Sequence, residues 1–262
     1  MRNKISLAIA YLRYLFVAQT KHAIHSPFVF SLLTTVIKSR KQFYAYKQVE
    51  NIRKDMLESK TEITVTDRGA GSSVLPFGKR KISAIAKASS KPAKYAQLLF
   101  RLVDHFQPAT ILELGTSLGI STLYLASPSS KSKVVTIEGC PNTAAVAREN
   151  FDKLKISNVE LLEGSFDDQL PTAIEKLGVL DLVFIDGDHR KAPTLKYFEQ
   201  CILKAGDRSL FILDDIHWSD EMEEAWEVIK KDKRVTITID LFFLGLVFFR
   251  KEQRKQVFVI RF

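Results

Sequence analysis

Two short polar runs, DGDH at residues 186–189 and DDIH at residues 214–217, carry the side chains best suited to reaction chemistry. Each run follows an apolar segment that is typical of a buried strand. In open α/β sheets ligands bind at the carboxyl ends of strands, so these acids and imidazoles are expected to meet there. An imidazole can accept a proton near neutral pH. The pattern therefore predicts a catalytic centre that contains Asp186 and His189.

A glycine-containing loop follows an earlier strand, predicted at residues 110–114. The loop and its flanks read E-x-G-x-x-x-G, and a helix opened by Ile120 follows directly. Glycine lets the backbone pass close to a ligand, and the start of a helix offers free N–H groups to a carboxylate. The loop therefore predicts a binding site for a ligand with a carboxylate. The residues assigned to it are Glu113, Gly115, Thr116, Ser117, Gly119 and Ser121.

The next two strands end in residues that fit a nucleoside. Strand 133–138 ends at Glu138, followed by Gly139, and an acidic side chain there can accept hydrogen bonds from both hydroxyls of a ribose. Strand 158–163 leads to Ser165 and Phe166, which place a small polar group and an aromatic edge beside an adenine ring. Asp167 or Asp168 is expected to cap the helix that follows.

Strands and helices alternate regularly from residue 92 onward, and this alternation predicts the fold. Strands separated by helices of this length imply βαβ crossovers and a mainly parallel sheet. Three β-rich segments near residues 234–261 have no helix between them, so at least one strand there must pair antiparallel. The predicted fold class is α/β and Rossmann-like, with a mainly parallel sheet, an antiparallel C-terminal strand and an N-terminal helical appendage. The remaining predicted elements are helices 92–106, 119–127, 142–154, 167–177, 192–203 and 219–230, and strands 180–185 and 208–213.

Three segments are predicted along the chain. Residues 1–58 form the helical appendage, residues 59–91 form a loop-rich connector, and residues 92–262 form the ligand-binding domain. The connector contains GAGS at residues 69–72, which lacks the Lys-Ser/Thr ending of a phosphate loop. A loop that folds over a neighbouring active site is favoured instead, because glycine allows close approach to a ligand.

Composition places the chain among globular proteins. The apolar share is 46% and the charged share 26%, both near the average for that class. The two cysteines, Cys140 and Cys201, do not form a C-x-x-C or Cys/His cluster, so a disulfide framework and a zinc site are not indicated. A reducing cytoplasm is therefore the expected compartment. No apolar run reaches eighteen residues, so no transmembrane helix is expected.

The positive charge is concentrated near the start of the chain. Residues 1–60 hold eleven Lys or Arg against three acids, which is a local net charge of +8. No recognised nucleic-acid module accompanies this charge, so nucleic-acid contact is not favoured. An anionic membrane surface is also less favoured than docking of the first helix onto its own catalytic domain or onto a second subunit of a homodimer.

Taken together, the motifs ELGTSLGIS, TIEG, LLEGSF, VFIDGDH and FILDDIHW resemble the class I S-adenosylmethionine-dependent methyltransferases. The resemblance is to the catechol O-methyltransferase-like group and covers about residues 92–250. It implies that Glu113, Gly115, Ser117 and Ser121 surround the methionine end of S-adenosylmethionine, that Glu138 binds the ribose, and that Ser165 and Phe166 lie near the adenine.

The resemblance also implies a divalent metal site. Asp186, Asp214 and Asp215 stand where that group binds its metal, and oxygen ligands suit Mg²⁺. Two departures are visible: the third ligand of the group is commonly Asn, where Asp215 stands here, and its catalytic lysine position holds His189. Asp186 and the other acids can alternatively cap helices or contact the amino group of the cofactor.

Methyl transfer from a sulfonium to a hydroxyl requires an aligned oxygen and the loss of its proton. His189 can take that proton as a base, or a metal at Asp186, Asp214 and Asp215 can acidify the hydroxyl. O-methylation of a small-molecule acceptor is therefore the predicted function, with the N-terminal helices and the loop of residues 59–80 covering the acceptor pocket. The alternatives are a nucleic-acid or protein methyltransferase, and a module that binds S-adenosylmethionine without catalysis.

Overall fold

The computed structural model of the protein describes residues 4–66, 78–89 and 91–262. The GAGS run at residues 69–72 lies outside these residues. The chain forms two compact units. We call residues Arg40–Leu177 the central unit, and the residues up to Ser39 together with Gly178–Phe262 the discontinuous unit.

Helices occupy the first part of the discontinuous unit. These are α1 (Lys4–Val17), a 3-10 turn at Lys21–Ala23, α2 (Pro27–Leu32) and a π-helical stretch at Leu33–Ile37. Helix α2 begins after Ser26, whose hydroxyl accepts the N–H of Val29 at 3.5 Å, and a proline occupies the first helical position. Helical structure near the start of the chain, as predicted, is confirmed.

The central unit holds the next helices and a run of parallel strands. Strand β4 lies between β3 and β5 and pairs in parallel with both, for example Val135 with Leu112 and with Glu160. The elements in chain order are α3 (Tyr44–Glu58), β1 (Glu62–Val65), β2 (Gly78–Lys81), α4 (Ile82–Ser89), α5 (Ala93–Phe106), β3 (Thr110–Leu114), α6 (Ile120–Ala126), β4 (Lys133–Glu138), α7 (Pro141–Lys153), β5 (Val159–Glu163) and α8 (Phe166–Leu177).

One hydrophobic core joins the helices of the central unit. It contains apolar side chains of α3, α4, α5, α6 and α7, including Val49, Ile85, Phe100, Leu123 and Phe151. Burial of such side chains is the main favourable term in folding. Helix α3 is therefore part of the core of this unit.

The segment 59–91, expected to be rich in loops, contains regular structure in its described part. Strand β1 pairs antiparallel with β2, and α4 follows β2 directly. Ile82, Ile85 and Ala86 recur at helical spacing and are buried in the core, which explains why this short segment is helical. The boundaries at residues 58 and 91 remain predictions, since the two compact units meet at residues 39/40 and 177/178.

The rest of the discontinuous unit closes in an antiparallel arrangement. Strand β7 pairs in parallel with β6 and antiparallel with β9, which in turn pairs antiparallel with β8, and β10 is parallel to β8. The carboxyl ends of β7 and β8 therefore lie at the same edge, which places Asp214 and Asp240 there. The elements are β6 (Leu180–Ile185), α9 (Lys191–Ile202), β7 (Ala205–Asp214), α10 (Asp220–Lys231), β8 (Ile237–Asp240), β9 (Leu244–Phe248) and β10 (Gln256–Val259).

These pairings confirm the predicted fold class. The strands of the α/β part pair mainly in parallel, and β9 is the antiparallel strand expected near the C-terminus. Within the described ranges, none of the helices has both the length and the apolar character needed to cross a bilayer.

Candidate active site

The loop between β3 and α6 folds through left-handed backbone. The φ angle is +105° at Gly115, +48° at Ser117 and +86° at Gly119. Gly119 is the N-cap of α6, and a Cβ atom at this position would lie 2.7 Å from the ring of Phe151. Glycine is therefore required at Gly119 both by the backbone angle and by the packing.

Glu113 supports this loop from beneath. Its side chain is fully buried, and its Oε2 accepts hydrogen bonds from the hydroxyl of Thr136, at 2.7 Å, and from that of Thr122. The hydroxyls of Thr116 and Thr136 are also 2.6 Å apart. Glu113 thus ties β3 to β4 and α6, and its place in the site is that of a positioning residue under the loop.

Glu138 lies at the end of β4 and holds two backbone segments. Its Oε2 accepts the N–H of Ser117 at 2.8 Å, and its Oε1 accepts the N–H of Cys140 at 2.9 Å. The hydroxyl of Ser117 donates to that of Ser89 at 2.8 Å. The half-buried Glu138 and Gly139 therefore lie beside the glycine loop, as the spacing of the motifs led us to expect.

Ser165 caps the helix that follows β5. Its hydroxyl accepts the N–H of Asp168 at 3.2 Å and donates to the carboxylate of Asp168 at 2.6 Å. The cap is thus Ser165 itself, and the expectation that Asp167 or Asp168 caps α8 was wrong, because both acids lie inside the first turn of the helix. Phe166 opens α8 and is half buried, while Ser121 is buried in the first turn of α6.

A second cluster of candidate residues lies in the discontinuous unit. Ligand atoms of Asp186, His189 and Asp214 all lie within 4.8 Å of one another. His189 Nε2 is 3.7 Å from Asp186 Oδ1 and 4.0 Å from Asp215 Oδ2. This cluster shares Asp186 and Asp214 with the predicted metal set and also includes His189, which Asp215 approaches from a neighbouring position, so the set of three aspartates stays a prediction.

The two turns that carry this cluster contain left-handed backbone. Asp188 and Asp215 both adopt left-handed conformations, with φ of +50° and +52°. The carboxylate of Asp188 accepts two hydrogen bonds from Arg190, at 2.6 and 2.8 Å. Side-chain directions at such turns do not follow from strand periodicity, so no pattern in the sequence indicates them.

His217 has a different environment from His189. Its Nδ1 is 2.8 Å from Glu223 Oε1, its Nε2 is 2.8 Å from Asp240 Oδ2, and its ring stacks on Phe242. Burial lowers the pKa of His217, but the hydrogen bonds and charges of Asp240 and Glu223 outweigh burial and raise that pKa above its ordinary value. With both ring nitrogens engaged, His217 has a structural role.

A cavity of about 610 Å³ lies beside this histidine within the discontinuous unit. One wall is formed by α1, through Ile9, Ala10 and Arg13 among others. His217 and Asp240 also line this cavity. The described residues that line this cavity do not include Asp186, His189 or Asp214, so the expectation that the N-terminal helices cover an acceptor pocket stays a prediction.

The polar groups of the two units can be compared with the chemistry of the predicted cofactor and cation. In the central unit, left-handed backbone at Gly115 and Ser117 and the carboxylate of Glu138 fit a ligand with a ribose and a carboxylate. In the discontinuous unit, two carboxylates and one imidazole fit a divalent cation. Mg²⁺ prefers oxygen alone, whereas a mixed set also suits transition metals such as Mn²⁺.

Comparison with known proteins gives a consistent assignment. Residues 112–216 match a family described as a methyltransferase domain. The chain is 35% identical over 131 residues to a catechol O-methyltransferase of Niastella koreensis, covering 49% of this chain and 57% of that protein. It is 34% identical over 126 residues to a catechol O-methyltransferase of Mycobacterium tuberculosis, covering 47% of this chain and 56% of that one. The matched region thus spans little more than half the length of these relatives.

A solved structure extends the similarity in fold. The O-methyltransferase from Bacillus cereus in complex with SAH superposes with a TM-score of 0.56 at 21% identity, covering 84% of this chain and 96% of that chain. The resemblance predicted from the motifs is confirmed: the chain shares the fold of this O-methyltransferase, and residues 112–216 match the methyltransferase-domain family.

Proposed function

We propose that the protein transfers the methyl group of S-adenosylmethionine to a hydroxyl oxygen of a small-molecule acceptor. The observation that carries the proposal is the carboxylate of Glu138, which lies at the end of β4 beside the left-handed loop of Gly115 and Ser117. The similarity of this stretch to catechol O-methyltransferases supports the same reaction.

The central unit supplies the groups that would hold the cofactor. Glu138 would accept the hydroxyls of the ribose, and the loop and the first turn of α6 would offer N–H groups to the carboxylate of the methionine portion. Glu113 fixes the loop through Thr122 and Thr136. Ser165 and Phe166 would border the adenine, and Gly139 would leave space beside the ribose.

The chemistry needs one bond made, one broken and one proton moved. S-adenosylmethionine supplies a methyl group on a sulfonium, so a bond from the acceptor oxygen to this carbon forms while the carbon–sulfur bond breaks and its electron pair stays on sulfur. The hydroxyl proton must leave as the new bond forms. We assign this step to His189, whose partly exposed imidazole has Asp186 Oδ1 at 3.7 Å and Asp215 Oδ2 at 4.0 Å.

His189 could act as a metal ligand or as a base, and these two roles compete for the same nitrogen. An imidazole nitrogen that coordinates a cation has no lone pair left for a proton, and His189 lies within the candidate ligand set. A divalent cation held by Asp186, His189 and Asp214 would acidify an acceptor hydroxyl. The two routes therefore predict opposite responses to chelation.

The acceptor is proposed to be a small, largely apolar molecule with a hydroxyl group. Catechols, which the names of the two relatives give as their acceptors, are molecules of this kind. Cys140 and Cys201 are buried free thiols, which fit a reducing compartment such as the cytoplasm.

The test is methyl transfer from labelled S-adenosylmethionine to a panel of catechols and monophenols, with Mg²⁺, with Mn²⁺ and with EDTA. Activity that EDTA abolishes supports the cation, and activity that survives EDTA but is lost in His189→Gln supports the base. His22→Gln, which changes an exposed histidine elsewhere, is the matched control. Cofactor binding without transfer to any acceptor would overturn the proposed enzyme and leave a binding module.

A further inference from the structure

Helix α1 carries a stripe of exposed apolar side chains. Ile5, Ile9, Leu12 and Phe16 are spaced by four, three and four residues, which at 3.6 residues per turn keeps them within about 60° of one another. Their exposed fractions are 73%, 47%, 55% and 89%. We call these four residues the α1 stripe.

The opposite side of the helix attaches α1 to its own unit. Tyr14, only 4% exposed, lies about half a turn away from the stripe. Its hydroxyl donates to the carbonyl of Ile260, and the centroid of its ring lies 5.3 Å from that of Phe242. Among the described side chains of α1, Tyr14 is the buried one. The helix is therefore anchored by one face while the stripe is exposed, with Ile5 and Ile9 also at the rim of the cavity beside His217.

The segment of the chain that carries the stripe is positively charged. Residues 1–39 contain five Lys or Arg and no acid. Arg13 is exposed and lies at one side of the stripe, where its long side chain can keep its charge in water beside an apolar surface. The cations in this segment are Arg2, Lys4, Arg13, Lys21 and Lys38.

We propose that the α1 stripe docks on the surface of an anionic phospholipid bilayer, with the helix lying in the plane of the interface. Apolar side chains would enter the boundary between headgroups and acyl chains, and the neighbouring cations would meet anionic headgroups. The sequence alone favoured docking of this helix on protein, but in the structure Tyr14 takes that contact and leaves the stripe exposed.

Two other partners fit the α1 stripe less well than a bilayer does. A second copy packed stripe to stripe would bring two sets of five cations together, with no acid in residues 1–39 to pair with them. A nucleic acid would satisfy the cations but would leave four apolar side chains without an apolar partner. A bilayer rich in anionic lipid satisfies both features.

The experiment is vesicle flotation of the full chain. We expect binding to vesicles of equal parts phosphatidylglycerol and phosphatidylcholine, and weaker binding to phosphatidylcholine alone by about fivefold per cation engaged. Phe16→Asp should weaken binding by at least about tenfold, because it places a charge in the stripe. Arg13→Glu should weaken binding to the anionic vesicles and leave binding to phosphatidylcholine unchanged.

Leu203→Asp is the matched control, because Leu203 is 76% exposed at the end of α9 and lies outside the stripe. Binding of Phe16→Asp equal to that of the wild type, or no binding of the wild type, would overturn the proposal. Sedimentation of the free protein as a dimer that Phe16→Asp dissociates would also overturn it, since a second copy would then cover the stripe. Since none of these readouts needs methyl transfer, they are independent of the proposed enzyme activity.

Discussion

The carboxylate of Glu138 accepts the backbone N–H of Ser117 at 2.8 Å, across the 21 residues that separate the end of β4 from the glycine loop. The same carboxylate accepts the N–H of Cys140 at 2.9 Å. Glu138 thus fixes the loop while its half-buried position leaves it able to meet a ligand. Its loss should affect both the loop and the cofactor.

Glu138→Gln should weaken the binding of S-adenosylmethionine by roughly 10- to 100-fold, because hydrogen bonds to a charged group contribute more than those to a neutral one. Calorimetric titration measures this change. Glu163→Gln is the control, since Glu163 ends the next strand but pairs with Arg148 on the surface. Equal affinities for the wild type and Glu138→Gln would remove Glu138 from the site.

Gly119→Ala should destabilise the protein by about 2–5 kcal/mol, through left-handed backbone and through overpacking against Phe151. Gly178→Ala isolates the backbone effect, since Gly178 has φ of +73° but a Cβ atom added there would meet no atom within 4 Å. This variant should lose about 1–2 kcal/mol of stability. Denaturant unfolding gives both values. Similar losses in the two variants would show that the Phe151 ring moves aside freely.

The metal hypothesis makes a prediction that separates two neighbouring aspartates. Asp214→Asn should weaken Mn²⁺ binding by at least about tenfold, whereas Asp215→Asn should change it little, because Asp214 and not Asp215 belongs to the cluster with Asp186 and His189. Paramagnetic titration of Mn²⁺ measures both. A large loss in Asp215→Asn would favour the three aspartates predicted from the sequence.

Cys201 should make the fold sensitive to alkali. Burial raises the pKa of this thiol from 9.0 to about 12. The unfolded chain therefore releases the thiol proton first, so stability is fully present below pH 9 and falls as pH rises toward 12, by up to about 4 kcal/mol. The melting temperature of Cys201→Ala should fall less steeply over this window. Parallel curves for the two proteins would contradict the burial effect.

Much of the fold could be predicted because its strands are short apolar runs between clear turn signals. Strands β3, β4 and β6 begin and end at the predicted residues. Helix α4 was missed, since eight residues beside a glycine-rich stretch carry a weak periodic signal and owe their helix to packing against the core.

The candidate site could be predicted less completely. The glycine loop and Glu138 could be predicted because they lie at the carboxyl ends of strands that are clear in the sequence, and ligands bind at these ends. The position of His189 among Asp186 and Asp214 does not, because it depends on left-handed turns at Asp188 and Asp215. The contacts of His217 with Glu223 and Asp240 join residues from three elements, so no local pattern indicated them.

The division of the chain separates two sets of candidate residues. The residues assigned to the cofactor, except Asp186, lie between residues 113 and 166 in the central unit. The residues assigned to proton transfer and to the cation lie in the discontinuous unit. Under the proposed function, variants confined to residues 178–262 would alter the groups for proton transfer and the cation while the cofactor groups between residues 113 and 166 stay unchanged. Selection experiments on this protein can use that separation by confining random mutagenesis to one unit.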